Sequence, residues 1–331
     1  MKREWKLFWG GIVFSTFYVV LIAALGWRFD TITLLPDTGA AWYYWKLPTR
    51  QFWPMATAWG GYALHQISFW FLLYRQRRCD PAERARGNGL LLAANGFFIL
   101  LHLLQSHVWY DGLAQDVPVF SSQGSVILML VFILIMEIDR RGLVLGKKLK
   151  GFARIKAFIR SYHGYYIAWA ITYTFWYHPT VSTPGHLFGF FYMMLLFLQG
   201  SLPYTEVHRN KYWRFVLEVL VLAHGTAVAV VQGNGMWPMF CFGFGMMAVL
   251  TQLYGIGLNR YVRLGLQGAY AIGVILVYGI LGIKEIGMVH QITWIPVVEY
   301  GLVFVFLFAG EGMLRVFRWQ PRRTPAPTSE G

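Results

Sequence analysis

Apolar segments of about 20 residues recur along the whole chain of 331 residues, and they constrain its fold more than any other feature. A helix needs about 20 apolar residues to cross the roughly 30 Å hydrocarbon core of a bilayer. Only 13% of the residues are charged, whereas about a quarter are charged in soluble domains. The sequence therefore predicts an all-α fold, a polytopic integral membrane helical bundle.

Ten segments are long and apolar enough to be predicted as transmembrane helices. Their approximate ranges are 8–26, 54–74, 88–109, 122–138, 162–178, 184–203, 213–232, 236–256, 265–283 and 290–314. The connections between them are short, so we expect a single transmembrane domain over residues 1–319. Residues 320–331 are rich in proline and arginine and are expected to form a disordered cytoplasmic tail.

The formal net charge of +14 raises the question of a nucleic-acid partner. With ten spans, however, 25 of the 29 lysines and arginines fall on the side that holds both chain ends. The other side holds Arg28, Lys46, Arg50 and Lys284. This asymmetry is typical of the positive-inside rule. It predicts a multi-pass protein of the cell membrane with cytoplasmic termini, and it argues against nucleic-acid binding.

The longest cytoplasmic connection, residues 140–160, is the most basic part of the chain. One interpretation is a basic helix that lies on anionic lipid headgroups. The alternative is a charge cluster that only sets the orientation of the neighbouring spans.

Ionisable residues gather near the predicted outer face. His107 and Asp111 are four residues apart, so they share a helix face if the helix continues that far. A carboxylate beside an imidazole fixes its tautomer, as in metal sites and proton relays. Asp111-Gly112 is also a turn signal, which leaves a structural interpretation open.

The connector Tyr177–His186 carries two histidines on either side of a tight turn. Pro179 directly follows His178 and is expected to end one span there. Thr183 is predicted to cap the next helix, with Pro184 at its first position. His178 and His186 are then close enough to share one ion, or they serve only as interfacial and backbone-bonding residues.

Together, His107, His178 and His186 are candidate ligands of a divalent transition metal, with Asp111 orienting one imidazole and His290 or Glu285 completing a catalytic site. The sequence has no HxxxH or HExxH motif, so such a site would have to be assembled from separate helices.

Three further ionisable residues are predicted near the middle of the bilayer. His65 and His224 are candidates for proton coupling or for axial ligation of a haem. Small residues around both also suit ordinary helix packing. Glu299, three residues after Pro296, is a candidate proton carrier, or else a neutral group bonded to a carbonyl that the proline leaves free.

Three functions remain open on these grounds. The first is a membrane enzyme that acts on a lipid-like or isoprenoid substrate through the outward-facing histidine and aspartate site. The second is a proton-coupled secondary transporter that uses Glu299, His65 and His224. The third is a protein that binds haem or another cofactor.

Overall fold

The structure, a computed structural model, describes residues 2–36, 38, 45–233 and 235–320. In these ranges the regular backbone structure is helical, and the one β-type contact is an isolated bridge between Val144 and Lys147. Apart from Gln320, the segment expected to be a disordered tail lies outside the described residues.

The helices, numbered in chain order, have the following bounds: α1 Arg3–Leu25, α2 Phe52–Arg78, α3 Pro81–Trp109, α4 Val119–Arg141, α5 Ala153–Tyr177, α6 Pro184–Ser201, α7 Glu206–Arg209, α8 Lys211–Val231, α9 Trp237–Leu250, α10 Arg260–Val274 and α11 Trp294–Val316. A π-helical turn, Ile275–Ile280, extends α10, and a 3-10 segment, Ile286–Thr293, leads into α11. Apart from the four-residue α7, each helix matches one predicted segment.

Seven helical segments of the described chain are long and apolar enough to cross a membrane, which supports a multi-pass membrane protein. The segments containing α2, α5 and α6 are not among them. These three helices carry buried polar side chains, such as His65, Gln66 and Thr172, that face other helices. Helices α5 and α6 are surrounded by protein and do not need the uniformly apolar surface that a lipid-facing helix needs, whereas α2 exposes large apolar side chains such as Leu64, Ile67 and Phe71.

Helices α5 and α6 form the centre of the bundle. Helix α5 packs against α2, α4, α6 and α11, and α6 packs against α1, α3 and α8 as well as α5. Helix α10 lies at the periphery against α9, and none of its residues is buried.

A chain of hydrogen bonds joins the four inner helices α5, α2, α3 and α6. Trp176 Nε1 donates to His65 Nδ1 at 3.1 Å, and His65 Nε2 lies 2.9 Å from Asn95 Oδ1. Asn95 Nδ2 then donates to Ser201 Oγ at 2.8 Å. We call these four residues the His65 clamp. Because all four are buried, the clamp pairs polar groups that would be costly to leave unpaired in an apolar interior.

The connections gather at two ends of the bundle. At the basic end, Lys2 bonds Glu206 at 2.5 Å, and Glu311 of the last helix accepts from the backbone of Ile155 at 3.1 Å. At the opposite end, which we call the histidine end, Lys46 donates to the carbonyl of Ala114 at 2.7 Å. The start of α1 and the end of α11 therefore both lie at the basic end.

The basic connection between α4 and α5 does not form the helix considered above. Residues 142–152 are irregular, and Gly142, Gly146 and Gly151 all adopt positive φ angles. Leu145 N donates to the carbonyl of Leu250 at 2.7 Å, which ties this segment to the end of α9. The prediction of a basic surface helix is wrong for this stretch, because glycines in the left-handed region interrupt helical geometry.

Two adjacent glycines of α2 test how closely the inner helices pack. A methyl group on Gly61 would overlap the Trp176 ring, whereas one on Gly60 would meet nothing within 4 Å. We expect Gly61→Ala to lower the free energy of unfolding by about 1–3 kcal/mol, the usual cost of overpacking. Thermal unfolding in detergent measures the effect, with Gly60→Ala as the matched control. Equal stability of the two variants would contradict this packing.

Candidate functional site

The predicted pairing of His107 with Asp111 is not formed. Helix α3 ends at Trp109, and Tyr110 takes a left-handed conformation with φ of 33°. His107 Nδ1 instead donates to the carbonyl of Leu103 at 2.8 Å. The turn separates the two side chains, so Asp111 does not orient this imidazole.

Asp111 is fully buried and holds the loop before α2 in place. Its carboxylate accepts from Arg50 at 3.1 Å and from the backbone N–H of Gly112 at 2.7 Å. Burial raises the pKa of Asp111, while Arg50 and the Gly112 N–H act in the opposite direction. Arg50 also contacts Asp116, so these acids anchor a loop.

His178 and His186 are neighbours, as their spacing predicts. Their ring centroids are 5.3 Å apart. Thr183 is the N-cap of α6 with Pro184 at the first position, and its hydroxyl accepts from the backbone N–H of His186 at 3.4 Å. The carbonyl of His178 lies 2.8 Å from His102 Nε2 and ties the turn to α3. The predicted helix stop and start are confirmed.

The proposed metal ligands do not form a common group. Within the described ranges, no three His, Cys, Asp or Glu residues lie close enough to hold a metal ion. His107 is turned towards its own helix backbone, and His290 Nδ1 donates to the carbonyl of Gly287 at 2.9 Å in the segment before α11. Of His107, His178 and His186, the last two are adjacent, and two imidazoles alone do not complete a transition-metal site.

His65 is not placed to bind a haem iron. Both of its ring nitrogens are occupied in the His65 clamp, and its ring stacks between Phe98 and Phe197 at centroid distances of 4.7 and 5.3 Å. Axial ligation would require one of these hydrogen bonds to break. The side chain therefore serves the packing of four helices.

His224 and Glu299 lie elsewhere in the bundle. His224 Nε2 is 2.8 Å from the point where a Cβ on Gly189 would stand, so this glycine makes room for the imidazole between α8 and α6. Glu299 is buried on the packing face of α11. Pro296 is the third residue of α11, which continues directly from the 3-10 segment Ile286–Thr293.

A cavity lies at the basic end, away from the predicted site. It has a volume of about 460 Å³ and opens between the end of α2, the start of α5 and the connection from α6 to α8. We call it the basic-end cavity. Its volume is in the range of ordinary small-molecule sites, about 300–1,000 Å³.

The deep wall of the cavity is apolar. It is formed by residues of α4, α5 and α6: Met129, Leu130, Ile133, Ile167, Ala168, Ile171 and Leu196. Met129 and Glu137, which both line it, are eight residues apart on α4 and hence about 12 Å apart along the helix axis. The cavity is therefore long enough to take an extended apolar group beside a polar end.

The mouth of the cavity is basic. Its charged lining residues are Arg77, Arg160, Arg209 and Arg214 against Glu137 and Glu218. Both glutamates are already paired: Glu137 accepts from Arg214 at 2.6 Å and contacts Arg140, and Glu218 contacts Arg141. A surplus of positive charge remains at the mouth.

Two histidines line the cavity beside these arginines. His163 Nδ1 lies 2.8 Å from the carbonyl of Arg160, and His208 Nδ1 lies 2.9 Å from that of Gln199. Because a carbonyl only accepts hydrogen bonds, each Nδ1 carries the proton and each Nε2 keeps a lone pair. The ring centroids are 6.4 Å apart. Burial lowers the pKa of His208 to about 4, which keeps it neutral at pH 7.

Sequence reasoning missed this site because each of its charged groups has an ordinary explanation alone. Arg160, Arg209 and Arg214 belong to the charge excess that the positive-inside rule explains, and Glu137 and His208 resemble interfacial residues. The sequence does contain one indication of the site, because carboxylates and imidazoles lie among those arginines at the ends of several predicted spans. Helix packing is what brings them together.

Comparison with known proteins finds no matching family, no matching curated protein and no matching solved structure. The functional conclusion for this chain rests on its own residues.

Proposed function

We propose that the protein is a membrane-embedded enzyme that draws a lipid-like amphiphile into the basic-end cavity and acts on its polar end there. The observation that carries this proposal is the division of the cavity into an apolar interior and a mouth lined by arginines and two imidazoles. An amphiphile matches that division, because its chain enters the apolar part while its headgroup stays among the polar residues.

His163 and His208 are the proposed acid–base pair. Each has a fixed Nδ1–H and an Nε2 lone pair, and both line the cavity. An imidazole in this state accepts a proton at Nε2 and returns it later, which is the requirement for general acid–base catalysis.

The proposed orientation has ten spans with the basic end in the cytoplasm. The support is the 25 lysines and arginines that the ten-span prediction assigns to that side, together with the start of the first helix and the end of the last, which both lie there. Helices α5 and α6 cross the membrane inside the bundle, and α2 crosses it with an apolar face that includes Leu64, Ile67 and Phe71 turned outwards.

Two single-cysteine variants test this orientation. Cys79 follows α2 at the basic end, and Glu285 is exposed at the histidine end. In a Cys241→Ser background, we expect an impermeant maleimide to label Cys79 in inverted membrane vesicles and not in intact cells. Glu285→Cys, with both native cysteines replaced by serine, should show the reverse pattern. Labelling of both positions from the same side would contradict the orientation.

Asparagine substitutions test the acid–base pair. Asparagine retains a donor near the Nδ1 position and removes Nε2, so we expect His163→Asn and His208→Asn to fold and to lose activity. The measurement is the lipid profile of a deletion strain that carries each variant. His290→Asn is the matched control, because its Nδ1 makes the same kind of bond outside the cavity. Full restoration of the wild-type profile by His163→Asn and His208→Asn would refute their role.

Proton-coupled transport is the second candidate, and buried Glu299 is the observation in its favour. A carboxyl in the interior of a membrane bundle is a natural proton carrier. If Glu299→Gln abolished the complementing activity while both asparagine variants retained it, transport would replace the enzymatic proposal.

A further inference from the structure

We infer that the amphiphile bound in the basic-end cavity carries a phosphomonoester or diphosphate headgroup. This inference rests on the proposed function, since it assumes that the cavity takes a lipid-like molecule. It adds the chemical class of the headgroup and the residues that recognise it.

Positive charge remains at the mouth of the cavity after the ion pairs of the protein are counted. Asp139 is shared by Lys156 at 2.6 Å and Arg160 at 2.7 Å, so one carboxylate serves two cations. Arg77 donates to the carbonyl of Ser161 at 3.2 Å and lies over the Tyr162 ring, and neither partner is charged. A headgroup with two negative charges would balance this surplus.

Arg214 lines the cavity, and its carboxylate partner is shared. Arg214 pairs with Glu137 at 2.6 Å, and Glu137 also contacts Arg140. One carboxylate therefore serves two guanidinium groups here, so an anionic oxygen at the mouth would be attracted to Arg214.

The shape of the arginine donors favours a phosphate over a carboxylate. All four cationic lining residues are arginines, and none is a lysine. The planar fork of a guanidinium gives two parallel hydrogen bonds to a phosphate or a carboxylate. A carboxylate has two oxygens and one charge, which suits a single fork. Arginines from α2, α5, α7 and α8 surround this mouth, and the three outer oxygens of a phosphate can bond several of them at once.

Binding of short-chain lipids to the detergent-purified full chain tests the inference. Calorimetric titration would compare dioctanoyl phosphatidic acid with dioctanoyl glycerol, octanoic acid and inorganic phosphate. We expect phosphatidic acid to bind at least about tenfold more tightly than the other three, since charge-assisted hydrogen bonds and chain burial both contribute.

Adjacent arginines at the end of α2 provide the matched variants. Arg77 lines the cavity, whereas Arg78 lies over the Tyr74 ring and is not among the lining residues. We expect Arg77→Gln to weaken phosphatidic acid binding about tenfold and Arg78→Gln to leave it unchanged. Arg209→Gln, at another side of the mouth, should weaken binding in the same way if Arg77→Gln fails to fold.

The possible outcomes separate this inference from the proposed function. The headgroup assignment would be overturned if octanoic acid or dioctanoyl glycerol bound as tightly as phosphatidic acid. It would also be overturned if Arg77→Gln and Arg78→Gln weakened phosphatidic acid binding equally. If inorganic phosphate bound as tightly as phosphatidic acid, the assignment of the phosphate group to a lipid would be overturned. If phosphatidic acid binds as expected while His163→Asn and His208→Asn remain fully active, the headgroup inference stands and the enzymatic proposal fails.

Discussion

Polar groups inside this bundle must find partners in other helices, and the His65 clamp is the main place where they do so. Its hydrogen bonds run from Trp176 through His65 and Asn95 to Ser201, each on a different helix. An unpaired group at this depth would cost about 1–3 kcal/mol. The clamp therefore favours one arrangement of the inner helices over alternatives that simple apolar packing would allow.

Three of the four clamp helices also line the cavity, through Leu73 of α2, Ala168 of α5 and Gln199 of α6. Leu73 and Ala168 each lie eight residues, about two turns, from the clamp residue of their helix, and Gln199 lies two residues before Ser201. Gln199 accepts from Trp213 at 2.8 Å and bonds both the backbone and the imidazole of His208. Directional hydrogen bonds between the helices thus hold the arginines and imidazoles around the basic-end cavity.

The helical segments and the helix caps could be predicted from the sequence, because they depend on neighbouring residues. The uneven distribution of lysine and arginine could also be counted directly along the chain. Thr183 and Pro184 define the start of α6 wherever the rest of the chain lies. Side-chain pairing was harder to predict. His107 and Asp111 do not pair because α3 ends at Trp109, and Asp111 pairs instead with Arg50, 61 residues away in the sequence. The basic-end cavity depends on six helices meeting, which is a property of packing and leaves no local pattern in the sequence.

The central claim is that the basic-end cavity holds a phosphorylated amphiphile, and blocking the cavity tests it most directly. A methyl group on Gly164 of α5 would meet nothing within 4 Å, and this residue lines the cavity, so Gly164→Phe fills it. Gly268→Phe, on the outer helix α10, is the control. Native mass spectrometry of the purified chain should find one phosphorylated lipid on the wild type and on Gly268→Phe, and none on Gly164→Phe. Equal retention by Gly164→Phe would contradict the account.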